Sequence, residues 1–341
     1  MRSSSSGFWS GALGLLLCLL SSKAEASNNA PTNNLPRRTV AQFPVGTWIE
    51  NIAVRPNGNL LLTSLMPNAS VYEVSNPSSE QAKVTRRFTI DDASGLLGIA
   101  EIAPDMYAIA GGNMSSSGGV KGSFRVWTVD FAGSENPEPK VAQTIPEAVL
   151  LNGMTTLPNK DKVVLISDSA LGLVWRADLV ANTHEMAMQL PEMGSQKQKH
   201  PIGINGIHIR DGNLTWLNHD TFKMHSVKIT EDGSQAEGFQ PAEIASFPVT
   251  ALDDFIWGPA QEDTAWVTTN DDNRVFALSS SGQNVVVAGA ADSQNVSTAT
   301  ACQFGRSDKD GKILYVTTGG DKLDGAHGGK VEALDTAGFR V

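Results

Sequence analysis

Six positions recur along the chain at steps of 47, 55, 53, 48 and 47 residues: Glu50, Leu97, Asn152, Asn205, Asp253 and Thr300. Four of them are oxygen donors of carboxylate or amide type. Brought to one point, two carboxylates and two amides suit a hard divalent cation such as Ca²⁺ or Mg²⁺. With neither thiolate nor imidazole in the set, zinc is a poorer match. A cation on Glu50, Asn152, Asn205 and Asp253 would polarise an oxygen atom and lower the pKa of its bound water. Without metal, Glu50 and Asp253 remain a carboxylate pair, in which burial and mutual repulsion raise one pKa and create a general acid. A third reading involves no chemistry: the polar groups only hydrogen-bond one another or water in a wet channel. On both chemical readings, Glu50 and Asp253 are the catalytic candidates.

Each of these residues is second in a short segment, at 49–54, 96–101, 151–156, 204–209, 252–257 and 299–304. Helical periodicity is almost absent, and runs rich in Val, Ile, Leu and Thr recur between clusters of Gly, Asn, Asp and Pro. Turns at Pro56-Asn57-Gly58, Arg210-Asp211-Gly212 and Asp310-Gly311 lead into second strands. Third strands follow at 71–74, 124–129, 173–177, 224–229, 274–278 and 330–334. Units of this length form arrays of small sheets, so the pattern predicts an all-β fold, a six-bladed β-propeller over residues 39–341. A β-sandwich reaches the same spacing only by accident. In a propeller the first strand of every blade runs beside the axis, which turns the six recurring positions into one ring. Residues 39–43 precede the first inner strand and are expected to close the ring as the outermost strand of the last blade.

Residues 27–38 read as a flexible leader. Ahead of them, Arg2, an apolar run over residues 12–20 and Ala24-Glu25-Ala26 form a signal peptide over residues 1–26, cut after Ala26. The apolar run is too short to span a bilayer, and no later segment is long enough. The expected location is therefore secreted or within the secretory-pathway lumen, without membrane insertion. Sequons at Asn68, Asn113, Asn213 and Asn295 fit that setting as glycosylation sites. Cys18 leaves with the signal and Cys302 has no intrachain partner, so no disulfide framework supports the fold. Without residues 1–26, which carry Arg2, Lys23 and Glu25, the 26 basic and 36 acidic residues become 24 and 35, a net charge of −11. Such a surface repels phosphate backbones and anionic lipid, which excludes nucleic acid as a partner. The protein is expected to act as a monomer.

The segments carrying Glu50, Leu151-Asn152-Gly153, Ile204-Asn205-Gly206 and Leu252-Asp253, each with a Gly- or Asp-turned hairpin, resemble the senescence marker, gluconolactonase and luciferin-regenerating enzyme superfamily. The resemblance spans nearly the whole mature chain and implies six blades. It further implies a divalent metal on a Glu of the first blade, here Glu50, and on an Asn and an Asp of consecutive later blades, here Asn205 and Asp253, with Asn152 as an accessory amide. The chain departs from that pattern in carrying Leu150 and Leu151 where sugar-lactone members have an Arg, Leu97 on the ring, and Asp254 where Gly is usual. With Phe255 and Trp257 nearby, these residues predict an apolar mouth for a hydrophobic small molecule. Leu97, Leu151, Asn152, Asp254, Phe255 and Thr300 are the substrate-binding candidates.

A signal-bearing propeller with an Asp-Asp-Phe element and a lipophilic mouth also resembles the fungal hetero-Diels-Alderases of tropolonic sesquiterpenoid pathways. That resemblance implies loss of water from a hydroxymethyl tropolone to give a quinone methide, which then joins a humulene-type alkene. Dehydration requires an acid or a metal near the leaving hydroxyl. Cycloaddition chiefly requires two apolar partners held in one orientation. The rival readings are a metal-dependent lactonase and a non-catalytic binding propeller, since a fold alone does not define chemistry. Strict alternation from Asn205 points His208 to the opposite blade face as packing. Asn218-His219-Asp220 reads equally as a turn or a pocket rim. Ser167-Asp168-Ser169 lacks the elbow of a serine hydrolase. The glycine pairs Gly111-Gly112 and Gly118-Gly119 precede no helix that would bind phosphate, and no organic cofactor is expected.

Overall fold

The computed structural model describes residues 33–340 apart from 135, 198, 260, 261 and 322–324, so the signal peptide and residues 27–32 of the leader lie outside the described residues. Six four-stranded antiparallel sheets form the blades of an all-β propeller. The innermost strands are Trp48–Val54, Gly95–Ala103, Leu151–Thr156, Ile204–Arg210, Phe255–Trp257 and Ala299–Phe304, which open blades 1 to 6 in chain order. They coincide with the six repeats because short β-branched and aliphatic runs bounded by turn residues can bury both faces only between neighbouring sheets.

The apolar residues accordingly gather into six clusters, each shared by two adjacent blades. Leu61, Val71, Ile99 and Tyr107 join blades 1 and 2, for example. Tyr315 and Val331 of blade 6 pack with Ile49 and Leu62 of blade 1. No blade could bury its faces alone, and the closed ring covers the faces that neighbouring blades share.

The strand Arg37–Gln42 pairs antiparallel with Lys330–Asp335 and completes blade 6. The buried Glu332 accepts hydrogen bonds from Arg37 Nη1 at 2.8 Å and Thr39 Oγ1 at 2.8 Å. The leader is shorter than the sequence suggested. The Asn33 and Leu35 amides donate to Val286 and Val287 carbonyls of blade 5 at 2.8 and 2.9 Å, and Arg37 and Arg38 already lie in the strand. Backbone pairing holds these polar residues where composition alone read them as loose.

One irregularity shapes the axis. Register shifts lie between Ile49 and Asn51, Leu96 and Ile99, Leu151 and Met154, Ile204 and Ile207, and Ala299 and Cys302. A bulge of this kind frees residues from the ladder and re-aims their side chains. A hydroxyl from the second strand fills the bulge in several blades. Thr63 Oγ1 accepts from the Asn51 amide at 3.1 Å and donates to the Leu97 carbonyl of the next blade at 2.7 Å. Ser167 reaches the Asn205 carbonyl at 2.7 Å, and Thr268 the Thr300 carbonyl at 2.9 Å. Each hydroxyl thus clips a blade to its successor at the ring position. Thr63→Val keeps the shape but strands a buried amide and a carbonyl, and it is expected to cost about 1–3 kcal/mol, measured as a lower midpoint in urea with an unchanged slope.

Burial of imidazole adds an acid-sensitive term. His225 is buried, stacks on Trp216 at 5.4 Å, and leaves Nδ1 without a partner among the described residues. Burial lowers its pKa below the ordinary histidine value. The neutral ring is therefore the stable one, and its contribution is complete above the unfolded pKa of about 6.5 and is lost as pH falls toward the folded value. His225→Phe keeps the stacking and removes the orphaned nitrogen. It is expected to stabilise by about 1 kcal/mol and to flatten the fall in Tm between pH 7 and pH 5, which thermal melts across that range would show.

Candidate active site

The ring residues stand near the start of the inner strands, beside the bulges of blades 1, 2, 3, 4 and 6 and just ahead of the strand of blade 5, at the end where outer strands cross to the next blade. Glu50, Asn152, Asn205 and Asp253 are all buried there, with relative exposures of 8, 7, 4 and 4%. Asn205 Nδ2 donates to Asp253 Oδ1 at 2.9 Å. Asn270 Nδ2 donates to Asp253 Oδ2, and Trp48 Nε1 donates to Glu50 Oε2. Asn152 turns its amide to Ser169 Oγ at 3.1 Å instead. Burial first, and then the facing charge of Glu50, hold the Asp253 carboxyl well above the usual carboxylate range; the amides of Asn270 and Asn205 oppose this in part.

A second ring surrounds the first. It arises two residues beyond each clip position on the second strands and holds Leu65, Gly112, Ser169, His219, Asn270 and Gly319 in blades 1 to 6. Ser169 and Asn270 touch the ring residues Asn152 and Asp253. A Cβ on Gly319 would meet the Trp48 ring at 2.6 Å, so glycine there lets the indole lie against Glu50. Polar groups come from blade 1 and from blades 3 to 5, whereas the ring position of blade 2 is apolar: Leu97, with Leu65, Met114 and Leu150 half-buried against its cluster.

Several predicted contacts belong to the core. Leu151 and Phe255 are fully buried in the apolar clusters between blades, away from any substrate. Thr300 is spent on structure: its hydroxyl bonds the Ile49 carbonyl at 2.8 Å and Thr317 Oγ1 at 2.9 Å, which ties blade 6 to blade 1. Trp257 lies under the Arg210 guanidinium, 5.1 Å from its ring centre, at the far end of its strand. Leu97 holds its ring position but is only 3% exposed. The three exposed sequon residues are Asn68, Asn113 and Asn295, whereas Asn213 is half-buried and donates to the Asp211 carbonyl at 3.1 Å.

The third residue of each inner strand forms the layer below the ring. Gly98, Gly153 and Gly206 occupy it in blades 2 to 4, where a Cβ would collide with Asn152 O at 2.2 Å, Asn205 O at 2.5 Å and Asp254 Oδ1 at 2.1 Å respectively. Asp254 uses the space left by Gly206. Its Oδ2 accepts from Asn51 Nδ2 of blade 1 at 3.1 Å, across the axis, and its Oδ1 lies 3.5 Å from His208 Nε2. His208 does pack edge-on against Phe255, at 4.8 Å. Contrary to strict alternation, however, it also lines a cavity of about 320 Å³ at the other end of the channel, because the bulge between Ile204 and Ile207 shifts the faces by one residue. The Asn51–Asp254 bridge stands between that cavity and the acidic ring.

Trp48, Asn270, Asn51 and His219 were not singled out by sequence as site residues, apart from the place of His219 in a rim or turn. The available signal was the shared offset of Ser169, His219 and Asn270 from their strands, which becomes meaningful only once the bulges are known. Among the described residues no group of three or more His, Cys, Asp or Glu could hold a metal. The mixed set of two carboxylates and two amides nevertheless fits a hard cation in donor type, since Asp253 is buried against other acids and its carboxylate is bonded by the neutral amides of Asn205 and Asn270.

A luciferin-regenerating enzyme of solved structure superposes with a TM-score of 0.64 at 14% identity, over 89% of this chain and 96% of its own. The likeness shows the shared fold, a six-bladed β-propeller. A protein of Phoma sp assigned by name as a hetero-Diels-Alderase is 37% identical over 314 residues, covering 84% of this chain and 88% of its own length. The asR5 protein of Sarocladium schorii, assigned the same name, is 32% identical over 360 residues, 93% of this chain and 88% of its own. No protein-family model matches the chain. The chain belongs to the hetero-Diels-Alderase family, enzymes of secondary metabolism with a cyclase role.

Proposed function

We propose that the axial site removes water from a hydroxymethyl-substituted tropolone and holds the resulting quinone methide against a terpenoid alkene for hetero-Diels-Alder closure. The observation that carries this reading is the buried Glu50–Asp253 pair standing beside the apolar side of Leu97, Leu65 and Leu150. A planar, lipophilic substrate lies with its ring on the apolar side and its oxygens toward blades 3 to 5. Asp253, held neutral by its surroundings, gives its proton to the departing hydroxyl, while Asn205 and Asn270 fix the carboxyl in place. Glu50, oriented by Trp48, faces the cationic character that builds as the carbon–oxygen bond breaks. The cycloaddition itself exchanges no proton and depends on orientation of the two partners. When bound by Glu50, Asn152, Asn205 and Asp253, a Ca²⁺ or Mg²⁺ ion supplies Lewis-acid polarisation of a substrate oxygen. The N-terminal signal features support a secreted or secretory-pathway setting for this chemistry.

The test is incubation of the purified protein with a hydroxymethyl tropolone and a humulene-type alkene, followed by mass analysis and chiral separation of adducts. A single adduct stereoisomer formed faster than in buffer supports the reading. Adducts formed only at the buffer rate, together with lactone hydrolysis that disappears in Asp253→Asn, would replace it with the lactonase. Repeating the assay after chelation and after Ca²⁺ or Mg²⁺ addition shows whether the cation takes part.

A further inference from the structure

His219 occupies the second-ring position of blade 4, the offset from which Ser169 reaches Asn152 in blade 3 and Asn270 reaches Asp253 in blade 5. Its backbone amide donates to the Gly203 carbonyl at 2.9 Å. Its Nδ1 lies 2.8 Å from the carbonyl oxygen of Leu252, the residue before Asp253. A carbonyl can only accept, so Nδ1 carries the proton, and in the neutral ring Nε2 keeps its lone pair. Nε2 has no hydrogen-bond partner among the described residues, and it is not among the buried polar atoms left unpaired.

The neighbours of His219 keep this ring in position rather than competing for it. Asn218 Nδ2 donates to the Glu192 and Gly194 carbonyls at 3.0 and 2.8 Å. The Asp220 carboxylate binds the Ser195 hydroxyl, the Ile202 amide at 3.0 Å and Lys197 Nζ at 2.7 Å. Both residues are thus committed to holding Glu192, Gly194, Ser195, Lys197 and Ile202, and the intervening imidazole is tied to the residue before Asp253. Burial also lowers the pKa of His219, against the opposing charge of Asp220, and so favours the neutral ring that can accept a proton.

We infer that His219 is a catalytic base that takes the enolic proton of the substrate at Nε2. This rests on the dehydration reading given above and adds the missing half of its proton inventory. The enol O–H bond breaks, its proton goes to Nε2, and its electron pair forms the ring carbonyl. Ring electrons shift to form the exocyclic methylene, and the carbon–oxygen bond breaks with its pair on the leaving oxygen, which departs as water with the proton already described. The substrate loses one water; after product leaves, the imidazolium gives its proton to solvent and the Asp253 carboxylate takes one back, so both groups return to their starting forms.

The experiment has two arms on the full chain. In the first, tropolone itself is the probe, since its ultraviolet band moves to longer wavelength on deprotonation. Wild type is expected to bind it as the anion, and His219→Gln to bind it as the neutral enol at the same pH. In the second, His219→Gln is expected to lower the dehydration rate by roughly 100-fold or more, and His219→Ala to regain activity with added imidazole. Melting curves matching wild type exclude a folding cause. Tropolone bound as anion equally by wild type and His219→Gln, or unrescued loss in His219→Ala, would overturn the assignment. Cyclase turnover with an unchanged His219→Gln rate removes the base but leaves the reading of function. Absence of wild-type turnover, with the tropolone shift still dependent on His219, removes that reading and keeps the proton acceptor.

Discussion

Asp253→Asn should lower turnover of the dehydrating substrate by roughly 100- to 10,000-fold, the range spanned by loss of a positioned proton donor, while the protein remains folded. The substitution is isosteric, and either Asn205 or Asn270 can turn its amide to present oxygen to the new side chain. It also removes a buried acid that faces Glu50, so Tm should hold or rise slightly. Single-turnover rates and melting curves on the same preparation separate the two effects. Glu50→Gln should show a smaller loss, and the double variant should fall little below Asp253→Asn, because residues acting as one unit are not additive. A rate within tenfold of wild type in Asp253→Asn would remove this carboxyl from the mechanism.

The largest expected loss of stability lies far from the ring, at Arg55. Its guanidinium grips Asp105 with two bonds, of 2.9 and 2.6 Å, and Glu73 with a third at 2.7 Å, and it lies 4.6 Å from the centre of the Phe131 ring. The hydrogen bond to Asp105 leads the causes that raise its pKa, outweighing the cost of burial, so the charge is permanent. Arg55→Ala leaves Glu73, itself buried, with a poorer partner in Arg87 at 3.4 Å. Breaking such a pair from one side costs about 3–5 kcal/mol, which for a chain of this size corresponds to roughly 6–15 °C in Tm. Arg55→Lys should recover part of this, since it restores charge but not the planar two-bond grip on Asp105. A loss below about 1 kcal/mol, the scale of an exposed pair, would show that solvent reaches the network.

Function and stability therefore occupy opposite ends of the inner strands. The acids stand where the strands begin, and the Arg55 network stands where the first inner strand turns into the second. Arg55→Ala at a temperature well below its midpoint should consequently leave the rate near that of wild type.

Much of this arrangement was readable along the chain. Runs of Val, Ile, Leu and Thr between Gly, Asn and Asp turns marked every inner strand to within a few residues, and equal spacing brought Glu50, Asn152, Asn205 and Asp253 into one register. Strand alternation was the step that misled. It turned His208 away from the channel, whereas the bulge between Ile204 and Ile207 shifts that strand by one residue; Leu151 and Phe255, read as lining an apolar mouth from their place at the inner strands, are buried between blades. A bulge depends on what the neighbouring strand offers, here a hydroxyl such as Thr63 or Ser167, and no local pattern in the inner strand announces it.

By itself, the sequence determined the blades, their number and the chemical types that reach the axis, since strand formation and turn placement follow from local side-chain chemistry. Only the tertiary structure decided which of those groups meet. The contacts of Asn270 with Asp253, of His219 with the Leu252 carbonyl and of Asn51 with Asp254 join residues 17, 33 and 203 positions apart. Such contacts exist because six sheets twist around one axis and their strands slip by one residue beside it, a geometry set by packing between blades.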